Sequence, residues 1–119
     1  MRPEDVAGFE ALLGEDHRRA LVRVAGLERD LAALMGATEA SPDDEHDPEG
    51  ATIGFERAQV TALLDRTRSH LAEIAGARTR LADGSYGRCP RCGRAIGTER
   101  LRARPTARRC IRCAEMLGA

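Results

Sequence analysis

Tryptophan and lysine are absent from this 119-residue chain, and its aromatic residues are limited to Phe9, Phe55 and Tyr86. So few rings exclude a thick aromatic core and an aromatic platform on which nucleic-acid bases could stack. No apolar run approaches the roughly 20 residues that span a bilayer, and no signal-peptide pattern opens the chain. A cytoplasmic protein without a membrane partner is therefore expected. At 119 residues, one or two small structural units are the ceiling.

Without lysine, all 19 basic residues are Arg, and 19 acids balance them to a formal net charge of zero. That total hides a strong asymmetry. Residues 1–50 carry 13 acids against 5 Arg, a net of −8, and residues 51–85 carry 5 Arg against 4 acids. Residues 86–119 carry 9 Arg against 2 acids, a net of +7. Opposite charge at the two ends points to different partners for each.

Proline is absent from 4–41, and apolar positions recur there at Val6, Phe9, Leu13, His17, Ala20, Val24, Leu27, Leu31 and Leu34. Steps of three and four make this close to a coiled-coil seam, so a helix is predicted over 3–35. Gly8, Gly14 and Gly26 each cost about 1 kcal/mol relative to Ala, so that helix needs a partner. A second seam runs through Ile53, Arg57, Val60, Leu64, Thr67, Leu71, Ile74, Arg78 and Leu81, predicting a helix over 48–82. Arg57 and Arg78 can lay their stems along it and keep their guanidinium groups wet. The short link GATEASPDDEHD favours antiparallel neighbours, with Leu34 facing Ile53, Leu27 facing Val60, Leu13 facing Ile74 and Val6 facing Leu81. At 1.5 Å per residue such a hairpin would be about 50 Å long. Its turn is acidic over about 37–49, and Ser41-Pro42-Asp43-Asp44 and Asp47-Pro48-Glu49 both read as helix-start signals.

All four cysteines fall in two pairs, Cys89-Pro90-Arg91-Cys92 and Cys110-Ile111-Arg112-Cys113, separated by 17 residues. This C-x2-C-x17-C-x2-C spacing is a zinc signature: each tight turn brings two thiolates to one ion, and Gly93 supplies the conformational freedom such a knuckle needs. Four thiolates form a closed tetrahedral set with no position for catalytic water, so one structural Zn²⁺ is expected. A thiol–disulfide redox pair and an iron–sulfur cluster are the rival uses of the same ligands. The 34 residues from Tyr86 hold few large apolar side chains, so folding and metal binding should be one event. Arg88, Arg91, Arg94, Arg108 and Arg112 can balance thiolate charge, or contact nucleic acid or an acidic protein surface.

The stretch Tyr86-Gly87-x-Cys89-x-x-Cys92-Gly93-x-x-Ile96, followed by Arg100-Leu101-x-Ala103-x-Pro105-x-Ala107-x-x-Cys110-x-x-Cys113, resembles the zinc-finger signature of the DksA/TraR family. The resemblance implies a transcription regulator that binds the core of bacterial RNA polymerase directly, without sequence-specific contact to DNA. It implies a hairpin that enters the polymerase secondary channel and an acidic tip near the catalytic Mg²⁺. Asp44 and Asp47 supply the two acids of the family's Asp-x-x-Asp-x-Ala tip motif, and Glu49 stands where Ala is expected. Arg91 and Arg94 are the candidate anchor on the channel rim. The family's joint response with the alarmone ppGpp is not carried over to this chain.

The expected fold is thus mainly α. It comprises a long antiparallel two-helix coiled-coil hairpin over 1–85, then a small four-cysteine zinc-finger module over 86–119 with a short C-terminal helix. An enzyme is not expected, because no nucleophile–base set or open metal site is apparent. A nucleic-acid-binding zinc ribbon and a helical-hairpin interaction scaffold are the alternatives. The net of +7 favours the ribbon, whereas the missing aromatics and the acidic first half disfavour it.

Overall fold

The computed structural model describes residues 1–40 and 48–118, with side chains over 1–37 and 51–118. Two long helices, α1 (Pro3–Ala40) and α2 (Pro48–Asp83), precede two one-to-two-turn helices, α3 (Thr98–Ala103) and α4 (Ile111–Met116). The fold is mainly α; the pairing of extended backbone found among the described residues is one isolated antiparallel bridge, Arg88 with Ala95. Among the described residues, no helix is long and apolar enough to cross a membrane.

Both long helices follow the two seams. Val6, Phe9, Leu13, His17, Ala20, Val24, Leu27, Leu31 and Leu34 are all buried or half-buried on α1. Helix α1 continues five residues beyond the predicted end at 35, because Ala37, Glu39 and Ala40 are compatible with a helix and Gly36 does not stop it. On α2 the apolar seam positions and Thr67 are buried or half-buried and both seam arginines are exposed, but one fully buried residue lies off the seam. Ala77 is fully buried, and the neighbouring Arg78 is exposed. A straight α-helix drifts against a strict seven-residue repeat, and a methyl group fits a close helix contact better than a guanidinium does. Arg78 instead reaches over α1, where a Cβ placed on Gly14 would stand 3.4 Å from its Nη2. Arg57 is exposed, as its wet guanidinium requires.

The described chain divides into two compact units, Met1–Arg18 with Leu71–Ala119, and Arg19–His70. In the second, Ala20, Leu64 and Thr67 are buried while Val24, Leu27, Leu31, Leu34, Ile53 and Val60 are half-buried. Thr67 is tolerated there because its hydroxyl donates to the Leu63 carbonyl at 2.7 Å. Phe55, on α2, is 65% exposed.

The first unit has the denser core. Leu13 and Ile74 have no exposed surface, and Phe9, Ala77, Tyr86, Ile96 and Leu101 are buried with them. Helix α2 ends with the Ser85 and Tyr86 N–H groups both donating to the Arg80 carbonyl, at 3.0 and 3.1 Å. This turn drops Tyr86 beside Phe9, ring centroids 5.3 Å apart and tilted by 53°. The Tyr86 hydroxyl donates to the Pro105 carbonyl at 2.7 Å. Burial pushes its pKa up to about 12. Gly87 follows at φ 84, where a Cβ would lie 3.1 Å from Met1 Cε and 3.4 Å from Leu101 Cδ1. Only glycine combines that angle with that clearance.

Seam burial orders the cost of truncation. In the zinc-loaded protein, Leu13→Ala is expected to cost about 2–5 kcal/mol, and the half-buried Leu27→Ala distinctly less. Denaturant melts showing equal losses would contradict this packing.

Candidate metal centre

Two differently built knuckles present the four cysteines. The first is a tight loop closed by backbone bonds: Ile96 N–H to the Gly87 carbonyl, Cys89 N–H to the Arg94 carbonyl, and Gly93 N–H to the Cys89 carbonyl, each 2.8 Å. Gly93 adopts φ 74, the left-handed conformation anticipated from its place after the second cysteine. The second knuckle is a helix start. Cys110 is extended, at φ −65 and ψ 161, and α4 begins at the next residue. Ala114 N–H donates to the Cys110 carbonyl at 2.9 Å, placing Cys113 in the first turn. Arg100 Nε donates to the Arg109 carbonyl at 3.0 Å, tying α3 to the stretch of chain that leads into this knuckle.

These two turns bring the sulfurs of Cys89, Cys92, Cys110 and Cys113 to within 4.8 Å of one another. Cys92 Sγ and Cys110 Sγ are 3.8 Å apart. A tetrahedron with zinc–sulfur bonds of about 2.3 Å has sulfur–sulfur edges of about 3.8 Å, whereas a disulfide needs about 2.05 Å. All four are free thiols; Cys89, Cys110 and Cys113 are buried and Cys92 is exposed.

Their electrostatics conflict in a way that one cation resolves. Backbone N–H groups, that of Cys110 first and those of Cys92 and Arg91 after it, pull the Cys89 thiol down to about 6 despite burial. The Cys113 N–H likewise lowers Cys110. At Cys113 the Arg91 hydrogen bond pulls down, but burial and the three neighbouring sulfurs outweigh it and push the thiol up to about 11. A divalent ion binds all four as thiolates and removes that competition. The donor set therefore fits Zn²⁺.

The charged residues singled out in the sequence lie as follows. Arg91 and Arg94 are both exposed, and Arg91 Nη1 donates to Cys113 Sγ at 3.6 Å. Asp44 and Asp47 fall outside the described residues, as does the first helix-start signal, Ser41-Pro42-Asp43-Asp44, whereas α2 begins at Pro48 of the second. Sequence reasoning missed a cationic pocket beside the second knuckle, about 200 Å³ in volume and lined by Glu73, Arg100, Arg104, Arg108 and Arg109. The signal available for it was the density of Arg over 100–109, which follows no single helical period. Arg80 is held half-buried in the same unit, with its pKa lowered by burial and by Arg108.

Residues 84–115 match the family described as the prokaryotic dksA/traR C4-type zinc finger. The RNA polymerase-binding transcription factor DksA of Caulobacter vibrioides is 42% identical over 65 residues, 55% of this chain and 46% of that protein. The factor of the same name from Haemophilus influenzae is 29% identical over 113 residues, 95% of this chain and 74% of its own length. Thus the match spans about half the length of the Caulobacter relative and three quarters of the Haemophilus one. The structure of transcription factor DksA2 from Pseudomonas aeruginosa superposes with a TM-score of 0.83 at 30% identity, covering 99% of this chain and 86% of that one. Clustered cysteines and a C4-type match together give the protein one structural zinc. With the finger, the two long helices and the superposition in agreement, this chain belongs to the DksA/TraR family of four-cysteine zinc-finger proteins.

Proposed function

We propose that this protein is a transcription regulator that binds the core of bacterial RNA polymerase directly, in the cytoplasm and without catalysis of its own. The observation that carries the reading is the near-complete superposition on a DksA2 structure, together with relatives named as RNA polymerase-binding factors. On this reading the hairpin of residues 1–85 enters the secondary channel and directs Asp44 and Asp47 toward the active site. The module of residues 86–119, its zinc held by Cys89, Cys92, Cys110 and Cys113, stays at the rim.

Physical chemistry supports each part. A pair of helices is about 20 Å across, narrow enough for a channel that excludes a globular domain. Carboxylates at its end act usefully only near a cation or basic side chains, where they can perturb Mg²⁺ coordination or pair with Arg and Lys. Exposed Arg91 and Arg94, and separately the arginine-lined pocket, give the module positive charge to meet an acidic rim. No sequence-specific DNA contact is proposed.

The anchor is tested with Arg94, because the Arg91 guanidinium is also engaged with Cys113. Arg94→Glu should weaken binding to core polymerase, and the difference from the parent should shrink as salt is raised. Affinity unchanged at low ionic strength would remove Arg94 from the anchor. Retention of random-sequence DNA in place of polymerase would favour the zinc-ribbon reading.

A further inference from the structure

Arg91 lies between the two cysteines of the first knuckle, yet its side-chain hydrogen bonds reach the second. Its Nη1 donates to Cys113 Sγ at 3.6 Å and to Met116 Sδ at 3.4 Å. Both acceptors belong to α4. Met116 is 66% exposed, so burial does little to fix its thioether. Cys113 is 2% exposed, so water contributes little to stabilising charge on its sulfur. A zinc ion with four thiolates carries a net charge of −2, and hydrogen bonds from outside the ligand set stabilise such a centre. Guanidinium remains charged at any pH a protein meets, which makes it a constant donor to sulfur.

We propose that Arg91 is a positioning residue of the zinc centre, a cationic clasp that links the first knuckle to α4 and shields the Cys113 thiolate. The inference rests on zinc bound by the four cysteines and is independent of any partner. It gives Arg91 a role inside the module besides the one proposed for its surface. It also separates two of the ligands by reactivity. Cys92, exposed, meets an electrophile first, and Cys113, buried and hydrogen-bonded to Arg91, meets it later.

The test uses full-length, zinc-loaded protein and two readouts that need no polymerase. One is the rate of zinc transfer to an excess of chelating dye; the other is the order in which iodoacetamide alkylates the four cysteines, mapped by mass spectrometry. Arg91→Ala should release zinc about tenfold faster and move Cys113 earlier in the order. Arg91→Lys should recover much of the parent rate. Arg112→Ala removes the same charge from the module and should release zinc at the parent rate. If Arg91→Ala keeps both the parent rate and the parent order, the clasp does not exist. If Arg112→Ala accelerates release as much, the effect is overall charge rather than the bond to Cys113, and the proposal fails. Should Arg91→Ala not load zinc, Arg91→Gln and Arg91→Lys carry the comparison. Slower release from the Lys variant than from the Gln variant is then expected, and Gln matching the parent overturns the proposal.

Discussion

Cys110→Ser is expected to abolish stable zinc retention and to unfold the module that follows Tyr86. A structural zinc of this class contributes about 10–16 kcal/mol in finger peptides at neutral pH, far more than a small apolar cluster can replace. Far-ultraviolet ellipticity should nonetheless change little, because α3 and α4 hold 6 residues each against 38 and 36 in α1 and α2. The loss should spread along the compact unit to which the module belongs. Tyr86, Ile96 and Leu101 share a core with Phe9, Leu13 and Ile74, so residues 1–18 and 71–83, while staying mainly helical, should exchange amide hydrogens faster than in the parent. Residues 19–40 and 48–70, in a separate unit, should retain their protection. Stoichiometric zinc in the Cys110→Ser protein, or unchanged protection at Leu13 and Ile74, would contradict the shared core.

The second large effect is expected at the acidic turn. Asn in place of both Asp44 and Asp47 keeps side-chain shape and capping ability while removing two charges. On the proposed function, contact area along the helices and the module sets affinity for polymerase, and the tip acts on initiation. The double variant should therefore bind core polymerase as the parent does and leave transcript yield at the level seen without any factor. Full regulation by the Asn variant would reduce these acids to caps and solubilising charge. Loss of binding together with regulation would move the tip into the affinity surface and separate this idea from the anchor at Arg94.

Much of this structure is legible in the sequence, and the physics explains which parts are not. Heptad-like spacing marked every seam position of α1, because a buried stripe on a helix must recur at three and four residues. Leu13 and Ile74, matched through the short link, lie in one core, and the cysteine spacing led to the sulfur cluster. Ala77 was missed because periodicity counts positions, whereas the close approach of two helices selects by volume. The Phe9–Tyr86 contact joins residues 77 apart in sequence, and no local pattern records it. Arg91 resembles every other Arg in an Arg-rich module until the chain's turns place Cys113 and Met116 within its reach. Asp44 and Asp47 rest on the motif alone.

Titration of labelled, zinc-loaded protein against core RNA polymerase, with random-sequence duplex DNA in parallel, tests the central claim most directly. The account predicts saturable, salt-sensitive binding to polymerase, competed by the unlabelled parent, and no comparable binding to DNA. Binding to the duplex with none to polymerase would contradict it.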